Sequence, residues 1–198
     1  MLGTGTVGRT VAGKLAGLGH EVRIGSRTAG DDTVEFADAA AFGEVVVNAT
    51  SGQHSVEALR SAGAESLGGK VLIDIANPLD FSQGMPPVLA FCNDDSLAER
   101  IQSEFPDLRV VKTLNTVNAD VMVDPSLVGE ETDMFVAGDD EGAKGEVTDL
   151  LRDFGWKRIL DLGDVTGARG MEMYLPLWLR LWQASGTGHL NVKVVSAG

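Results

Sequence analysis

Gly3-Thr4-Gly5-Thr6-Val7-Gly8 sets three glycines at the spacing G-x-G-x-x-G at the start of a 198-residue chain. That spacing suits the binding of a dinucleotide pyrophosphate. The first glycine makes a tight turn, the second lets the backbone approach the phosphates, and the third lets a helix pack closely on a strand. Free N–H donors and a partial positive charge at the N-terminus of the following helix complete the cradle. The residues behind the glycines qualify as that helix, because Val7, Val11, Leu15 and Leu18 recur at helical spacing and Gly19 is a natural stop. Glu21-Val22-Arg23-Ile24-Gly25 then reads as the second strand of the unit.

The tip of that strand selects the cofactor. NAD sites carry an Asp or Glu about twenty residues past the glycines to hold the ribose 2′-hydroxyl. Here the tip is Gly25-Ser26-Arg27, with no acid. An arginine offers a planar charged fork and a serine a hydroxyl donor, which together suit a 2′-phosphate, and Thr4 adds a further hydroxyl. The expected cofactor is NADP.

In an open α/β sheet, ligands bind outside the C-terminal ends of the strands. The segments expected there are Gly3–Gly8, Gly25–Thr28, Ala49–His54, Ala76–Pro78 and Asn115–Asn118. They carry mostly small or neutral polar side chains, with no catalytic triad, paired carboxylates or metal cluster, so no catalytic acid–base residue and no metal ligand is assigned. His20, at the end of the first helix, reads as structural, a cation that suits the dipole. His54 opens a helix beside the expected nicotinamide site, either as a surface residue or as a cofactor contact. His189, in a C-terminal glycine loop, either lines a substrate pocket or is a plain loop residue.

The elements that must position these residues alternate along the chain. Glu44–Ala49, Val71–Ile75 and Leu108–Leu114 are apolar runs of the buried parallel-strand type. Asp133–Ala137 and Trp156–Leu162 are further strands. Between them, helices are predicted from near His54, over Ser96–Phe105 and over Glu141–Phe154, with a short helical link at Ala37–Gly43 and a loop over Asp80–Asp94. This pattern predicts a doubly wound parallel sheet. Two places lack an expected element. A strand should precede the fingerprint, and only Met1 and Leu2 stand there, so the chain is expected to be cropped at its N-terminus. Between Ser26 and the short strand Thr33–Phe36 there are too few residues for a crossover helix. Either that helix is absent, or residues near Thr28–Asp32 are missing and the sequence joins ordered segments.

The length fits one domain with a small appendage, set here as a dinucleotide-binding domain over residues 1–163 and a C-terminal helix and glycine loop over 164–198. The appendage is expected to supply substrate pocket and dimer contact. Met171 to Trp182 leaves almost no polar face, which predicts a helix buried on all sides, in the core, in a dimer interface or as a wall for a flat ligand. With 29 Asp and Glu against 16 Lys and Arg, the net charge of −13 argues against nucleic acid or an anionic membrane as partner. The single cysteine, Cys92, excludes an internal disulfide and fits a reducing compartment, which predicts a cytoplasmic location. The longest apolar run, Tyr174–Trp182, is too short to span a bilayer.

These residues resemble a known family. Leu2–Gly8, Gly19-His20-Glu21-Val22 and Gly25-Ser26-Arg27 look like the NADPH-dependent reductases of the deazaflavin coenzyme F420. So do Val110–Thr116, Gly138-Asp139-Asp140 and the closing apolar helix with its glycine loop. More distantly, the chain is similar to the cytosolic reductase domains of six-transmembrane metalloreductases. The resemblance implies a Rossmann-type fold in which Thr4, Ser26 and Arg27 hold the 2′-phosphate, while Gly3, Gly5, Thr6, Val7 and Gly8 form the pyrophosphate loop. Thr50, Ser51 and His54 would flank the nicotinamide, with Ala76 and Asn77 nearby. Asn115, Thr116 and His189 would face the second substrate. The chain departs from the archaeal members at Asn115, where they carry histidine, and at Ser51-Gly52, where they carry proline and tryptophan.

The function implied is hydride transfer between NADP(H) and coenzyme F420 or a flavin-like acceptor, in a homodimer. The alternatives are a non-catalytic NADP(H)-sensing module and an NADPH-dependent reductase of a small substrate. The last usually requires a helical substrate domain and a Lys, Asp or Tyr proton donor.

Overall fold

Three apolar runs form the centre of the sheet. In the computed structural model, which describes residues 1–197, β3 (Val45–Asn48), β4 (Val71–Asp74) and β7 (Arg109–Thr113) run parallel, in the register Val46, Leu72, Val110. Gly198, the last residue of the C-terminal segment delimited above, lies outside the described residues. Alternate side chains of these strands enter two different layers, as a period of two demands. Val47, Val71, Ile73 and Val111 pack with α1 (Thr6–Gly17), α6 (Ala119–Val123) and α7 (Glu141–Phe154), through Val11, Val121 and Val147. Val46, Leu72 and Val110 pack on the other side with α2 (Phe36–Phe42), α3 (Ser55–Ala62), α4 (Ala64–Leu67) and α5 (Leu97–Glu104), through Phe36, Leu59, Leu67 and Ile101. Both faces are covered, so the strands can be apolar throughout. The fold is the expected α/β sheet with helices on both sides.

Leu2 makes parallel bridges to both Gly25 and Asn48, so the first residues lie in the sheet between β1 (Gly25–Ser26) and β3. β2 (Val34–Glu35) is the parallel neighbour of β1. The expected strand over Glu21–Gly25 is thus realised only at its end. Upstream of it, Val22 and Arg23 border a cavity of about 680 Å³ with Met1, Val45 and Val71, at the end of the sheet opposite the glycine loop. Met1 N donates to Arg23 O at 2.9 Å and Val34 N to Ile24 O at 3.0 Å, so these residues already touch the sheet, but the paired ladder with β2 begins only at Gly25. Residues 27–33 hold no helix. They form a loop closed by the antiparallel bridge of Gly30 with Thr33.

The far side of the sheet differs from the all-parallel expectation. β8 (Asp133–Ala137) runs antiparallel to β7, and β9 (Arg158–Asp161) is parallel to β8. The connection from β7 holds only the five-residue α6 and a 3-10 turn at Pro125–Val128, so the chain turns back without a crossover. Neither piece is long enough to show a periodicity in sequence. Reversal puts Asp133, the start of β8, at the end of the sheet where β7 finishes, and the C-terminal tail returns there, with the Asp133 N–H donating to Val192 O at 3.0 Å. The expected loop over Asp80–Asp94 holds a small antiparallel ribbon, β5 (Leu79–Asp80) with β6 (Val88–Leu89).

The apolar C-terminal run is two helices. α8 (Ala168–Met173) and α9 (Leu175–Ser185) break at Tyr174, with Pro176 in the first turn of α9. Burial on all sides is not what the subunit provides. Met171, Leu175, Trp178 and Leu179 are buried, whereas Leu177, Leu181 and Trp182 are 54, 38 and 42% exposed. No helix among the described residues is long and apolar enough to cross a membrane.

Candidate functional site

The three glycines of the fingerprint are distinguished by what a side chain would meet. A Cβ on Gly3, whose φ is +115°, would lie 2.4 Å from Ala49 O, and one on Gly8 would lie 2.4 Å from Gly3 O. Both positions are therefore closed by backbone. A Cβ on Gly5 would meet nothing within 4 Å. Gly5 is also the N-cap of α1, no side chain caps that helix, and its first turn carries no acid. The outcome is a turn packed tight at its ends and open in the middle over unsatisfied N–H groups, which fits a pyrophosphate. Thr6 and Val7 form the first helical positions over this opening.

The opening leads into a cleft of about 750 Å³. Gly3, Thr4, Gly5, Ser26, Arg27, Thr50, Ser51 and His54 all line it, so most of the expected cofactor residues share one concavity. Arg27 is exposed and makes no hydrogen bond or ion pair among the described residues, which leaves its guanidinium free for an anion. Ser26 donates its hydroxyl proton to Thr28 O. Two residues that the sequence reading passed over line the same cleft: Arg9 on α1 and Asp32 on the loop after β1, 2.6 Å apart. Arg9 stands one residue past the last glycine, which was the signal for it.

Beyond the cleft, the ends of β3, β4 and β7 are tied together. Thr50 donates its hydroxyl to Asn48 Oδ1 at 2.7 Å, and its oxygen lies 2.9 Å from the buried Ser55 hydroxyl. Gly52 packs flat on the next loop, for its Cβ would fall 2.0 Å from Asn77 O. Asn77 and Asn115 bond reciprocally at 2.9 Å, side chain to backbone one way and side chain to side chain the other. Asn115 Nδ2 also donates to Met171 O at 3.1 Å, which fixes α8 to the strand ends. Asn115 and Thr116 are both buried, and their Oδ1 and Oγ1 have no hydrogen-bond partner among the described residues. His189, in the C-terminal glycine loop, lies 3.2 Å from Asp120 of α6, and a Cβ on the adjoining Gly188 would lie 3.1 Å from Asn118 Nδ2. His54 is 70% exposed at the rim of the cleft.

Directly beneath these loops lies a charge network that the sequence reading missed. Lys112 Nζ, with no exposure, contacts Asp74 Oδ2 and Glu172 Oε1 at 2.8 Å each and donates to Ala76 O at 2.5 Å. Asn48 Nδ2 donates to the other Asp74 oxygen at 2.8 Å. Glu172, from α8, also accepts from Leu97 N at 2.9 Å, at the start of α5. Burial alone would lower the Lys112 pKa, but the pull of Asp74 and Glu172 outweighs it and holds the ammonium above its ordinary value. Burial raises Glu172 despite Lys112 beside it. One lysine between two carboxylates explains both directions, since the cation is favoured and the second anion is not. The available signal was a charge inside each apolar run: Asp74 in 71–75, Lys112 in 108–114 and Glu172 in 171–182.

This arrangement can hold a dinucleotide with its phosphates on α1 and its far end over Thr50, Asn77 and Asn115. Among the described residues, no set of three or more His, Cys, Asp or Glu could hold a metal. Known proteins share the chain's pattern. The profile of the family described as NADP oxidoreductase, coenzyme F420-dependent, matches residues 1–78. The F420-dependent NADP reductase of Methanocaldococcus jannaschii is 31% identical over 159 residues, covering 78% of this chain and 70% of that protein. A crystal structure of a candidate F420-dependent NADP reductase from Arthrobacter sp. FB24 superposes with a TM-score of 0.94 at 53% identity, over 98% of this chain and 97% of that one. The metalloreductase STEAP3 of Rattus norvegicus is 30% identical over 90% of this chain but only 37% of its own length. The chain belongs to the F420-dependent NADP reductase family and is an NADP-dependent oxidoreductase.

Proposed function

We propose that the protein moves a hydride between NADPH and a flat deazaflavin of the coenzyme F420 type, or a flavin, stacked on the nicotinamide. Thr4, Ser26 and Arg27 hold the 2′-phosphate, Gly3 to Gly8 the pyrophosphate, and Thr50, Ser51, His54, Ala76 and Asn77 the nicotinamide end. Losing the charge-assisted contact in Arg27→Ala weakens NADPH by about 1.5–3 kcal/mol, roughly ten- to a hundredfold, and leaves NADH unchanged. When bound, NADPH supplies the hydride, and the protein supplies position. Ring-to-ring transfer asks for stacking at about 3–3.5 Å rather than for a proton donor. One observation carries the reading. The loops at the nicotinamide end, Ala49–His54, Ala76–Pro78 and Asn115–Asn118, carry no Asp, Glu, Lys or Arg, and the ionisable groups beneath them, Asp74, Lys112 and Glu172, are buried and spent on one another. Asn115 and Thr116 close the inner wall. The C-terminal segment from Asp164, with His189 on its loop, forms the outer wall on the acceptor side.

NADPH carrying deuterium at one face of C4 tests this. Incubation of each C4 epimer with a deazaflavin is expected to place deuterium from one face on the acceptor carbon; with FMN or FAD the hydride goes to an exchangeable nitrogen, so there the sign of transfer is oxidation of NADPH with a deuterium isotope effect. Deuterium found only in water with the deazaflavin as acceptor, or no oxidation with any acceptor, rejects direct transfer.

The apolar side of α9 favours a homodimer. Leu177 and Leu181 lie one turn apart, and the Trp182 ring lies 5.5 Å from that of the buried Trp178, tilted by 43°. A contiguous apolar patch of this kind is typical of an interface. Sedimentation at micromolar concentration is expected to give twice the chain mass, and a clean monomer rejects this assignment.

A further inference from the structure

The 2′-phosphate reading above leaves a charge imbalance. A phosphate monoester carries about −1.5 to −2 at neutral pH, whereas Arg27 supplies a single positive charge and the Ser26 proton is already donated to Thr28 O. Arg9 is the other arginine lining the cleft, which Ser26, Arg27 and Thr33 line as well. Its Nε donates to Thr4 O at 3.1 Å, which ties the guanidinium to the glycine loop. Nη1 donates to Asp32 Oδ2 at 2.6 Å, and Nη2 makes no hydrogen bond among the described residues. Arg9 is 48% and Asp32 64% exposed, so water screens the pair and holds it weakly.

From this geometry we infer that Arg9 is a second ligand of the 2′-phosphate, and that Asp32 is a built-in competitor for it. The inference rests on the NADP site proposed above. Arg9 and Arg27 together match the charge of the phosphate. Asp32, a carboxylate on the same cleft, repels the incoming dianion and must share or release the Arg9 guanidinium. NADPH binding is thereby weakened by a residue of the site itself, and NADH, which lacks the 2′-phosphate, is unaffected. The pair sets discrimination between the two cofactors and the rate at which the spent phosphorylated cofactor leaves.

The test is fluorescence titration of the full chain with NADPH and with NADH. Arg9→Gln is expected to weaken NADPH at least tenfold and to leave NADH within twofold, while Arg9→Lys keeps part of the NADPH affinity. Asp32→Asn still accepts the Arg9 hydrogen bond but loses the charge, and is expected to tighten NADPH about threefold or more with NADH unchanged. The inference is overturned if Arg9→Gln weakens both cofactors alike, since Arg9 then only braces Thr4, or if Asp32→Asn leaves NADPH unchanged or weaker. Arg27→Ala separates the two levels. If it lowers the NADPH preference while Arg9→Gln does not, only the role of Arg9 fails. If neither changes the preference, the 2′-phosphate site lies elsewhere and both readings fall.

Discussion

Lys112→Met is expected to cost about 3–5 kcal/mol of folding stability, a large part of the roughly 5–15 kcal/mol that holds an ordinary domain together. Methionine fills most of the volume of the lysine stem, so packing is nearly conserved. What is lost is the cation. Asp74 and Glu172, both buried, then face each other's charge with no counterion, and Ala76 O loses its donor. Breaking a buried pair from one side is costly because the remaining charge has no water to turn to. Urea unfolding at neutral pH measures this, and a midpoint within a few tenths of molar of the parent would show the network to be uncharged.

The same network gives a pH dependence whose sign follows from the direction of each shift. Burial raises the Glu172 pKa above its ordinary 4.5, so the folded state holds that proton more tightly than the unfolded one. Such a group adds stability that is fully present below 4.5 and is lost as pH rises through its folded pKa. Lys112 is also raised, so its contribution is fully present below its ordinary 10.5 and disappears only in the alkaline range. Glu172→Gln keeps an acceptor for Leu97 N and removes the titration, and a flatter stability profile above pH 4.5 is the corresponding outcome.

Those three residues also show where sequence was legible. The glycine spacing told of a turn, a helix and a phosphate cradle because each role demands a missing side chain: Gly3 for its φ of +115° and the approach of Ala49 O, Gly8 for the approach of Gly3 O, and Gly5 to leave the cradle open. The tip Ser26-Arg27 was readable because an acid is required there for the other cofactor. Alternation of strand and helix gave both layers of the core, since Val47 and Val46 must face opposite sides wherever the strand sits. Lys112 was hidden for the converse reason. A lone charge in an apolar run has meaning only through partners 38 and 60 positions away (Asp74 at 112 − 74, Glu172 at 172 − 112), brought together by the sheet and α8. The reversal of β8 was hidden too, because a strand reads the same in either direction and only the short α6 connection decides it. The split of α8 from α9 lay in Pro176, which was visible, but it was outweighed by the apolar run around it. Arg9 was passed over as one more polar residue on a helix. Its position matters because the fold brings it into the cleft that Ser26 and Arg27 line, with Asp32 of the loop after β1 beside it.

Gly52→Ala is expected to fold but to lose about a hundredfold or more in turnover. Nothing in the local conformation forbids alanine, since Gly52 opens a 3-10 turn without a positive φ. The obstacle is the neighbouring loop, for the new Cβ would lie 2.0 Å from Asn77 O, 2.4 Å from Asn77 C and 2.8 Å from Pro78 N. These are backbone atoms, and they cannot rotate away. The loop is held by the Asn77–Asn115 pair and by the Leu79 N–H, which donates to Asn77 O at 2.8 Å. One of two walls of the proposed nicotinamide site must therefore move, by a distance of the order of an ångström. Overpacking of this kind costs about 1–3 kcal/mol in stability. A misplacement of about 1 Å between reacting centres costs about a hundredfold in rate. Gly5→Ala supplies the contrast. Its Cβ meets no protein atom, and its φ of −70° suits alanine, so folding is expected to be unchanged. The methyl enters the space assigned to the pyrophosphate instead, and NADPH binding should fall while turnover at saturating NADPH falls less. If Gly52→Ala keeps the parent turnover with every acceptor that oxidises NADPH, the two loops do not frame the reacting ring, and the nicotinamide end must be placed elsewhere along the strand tips.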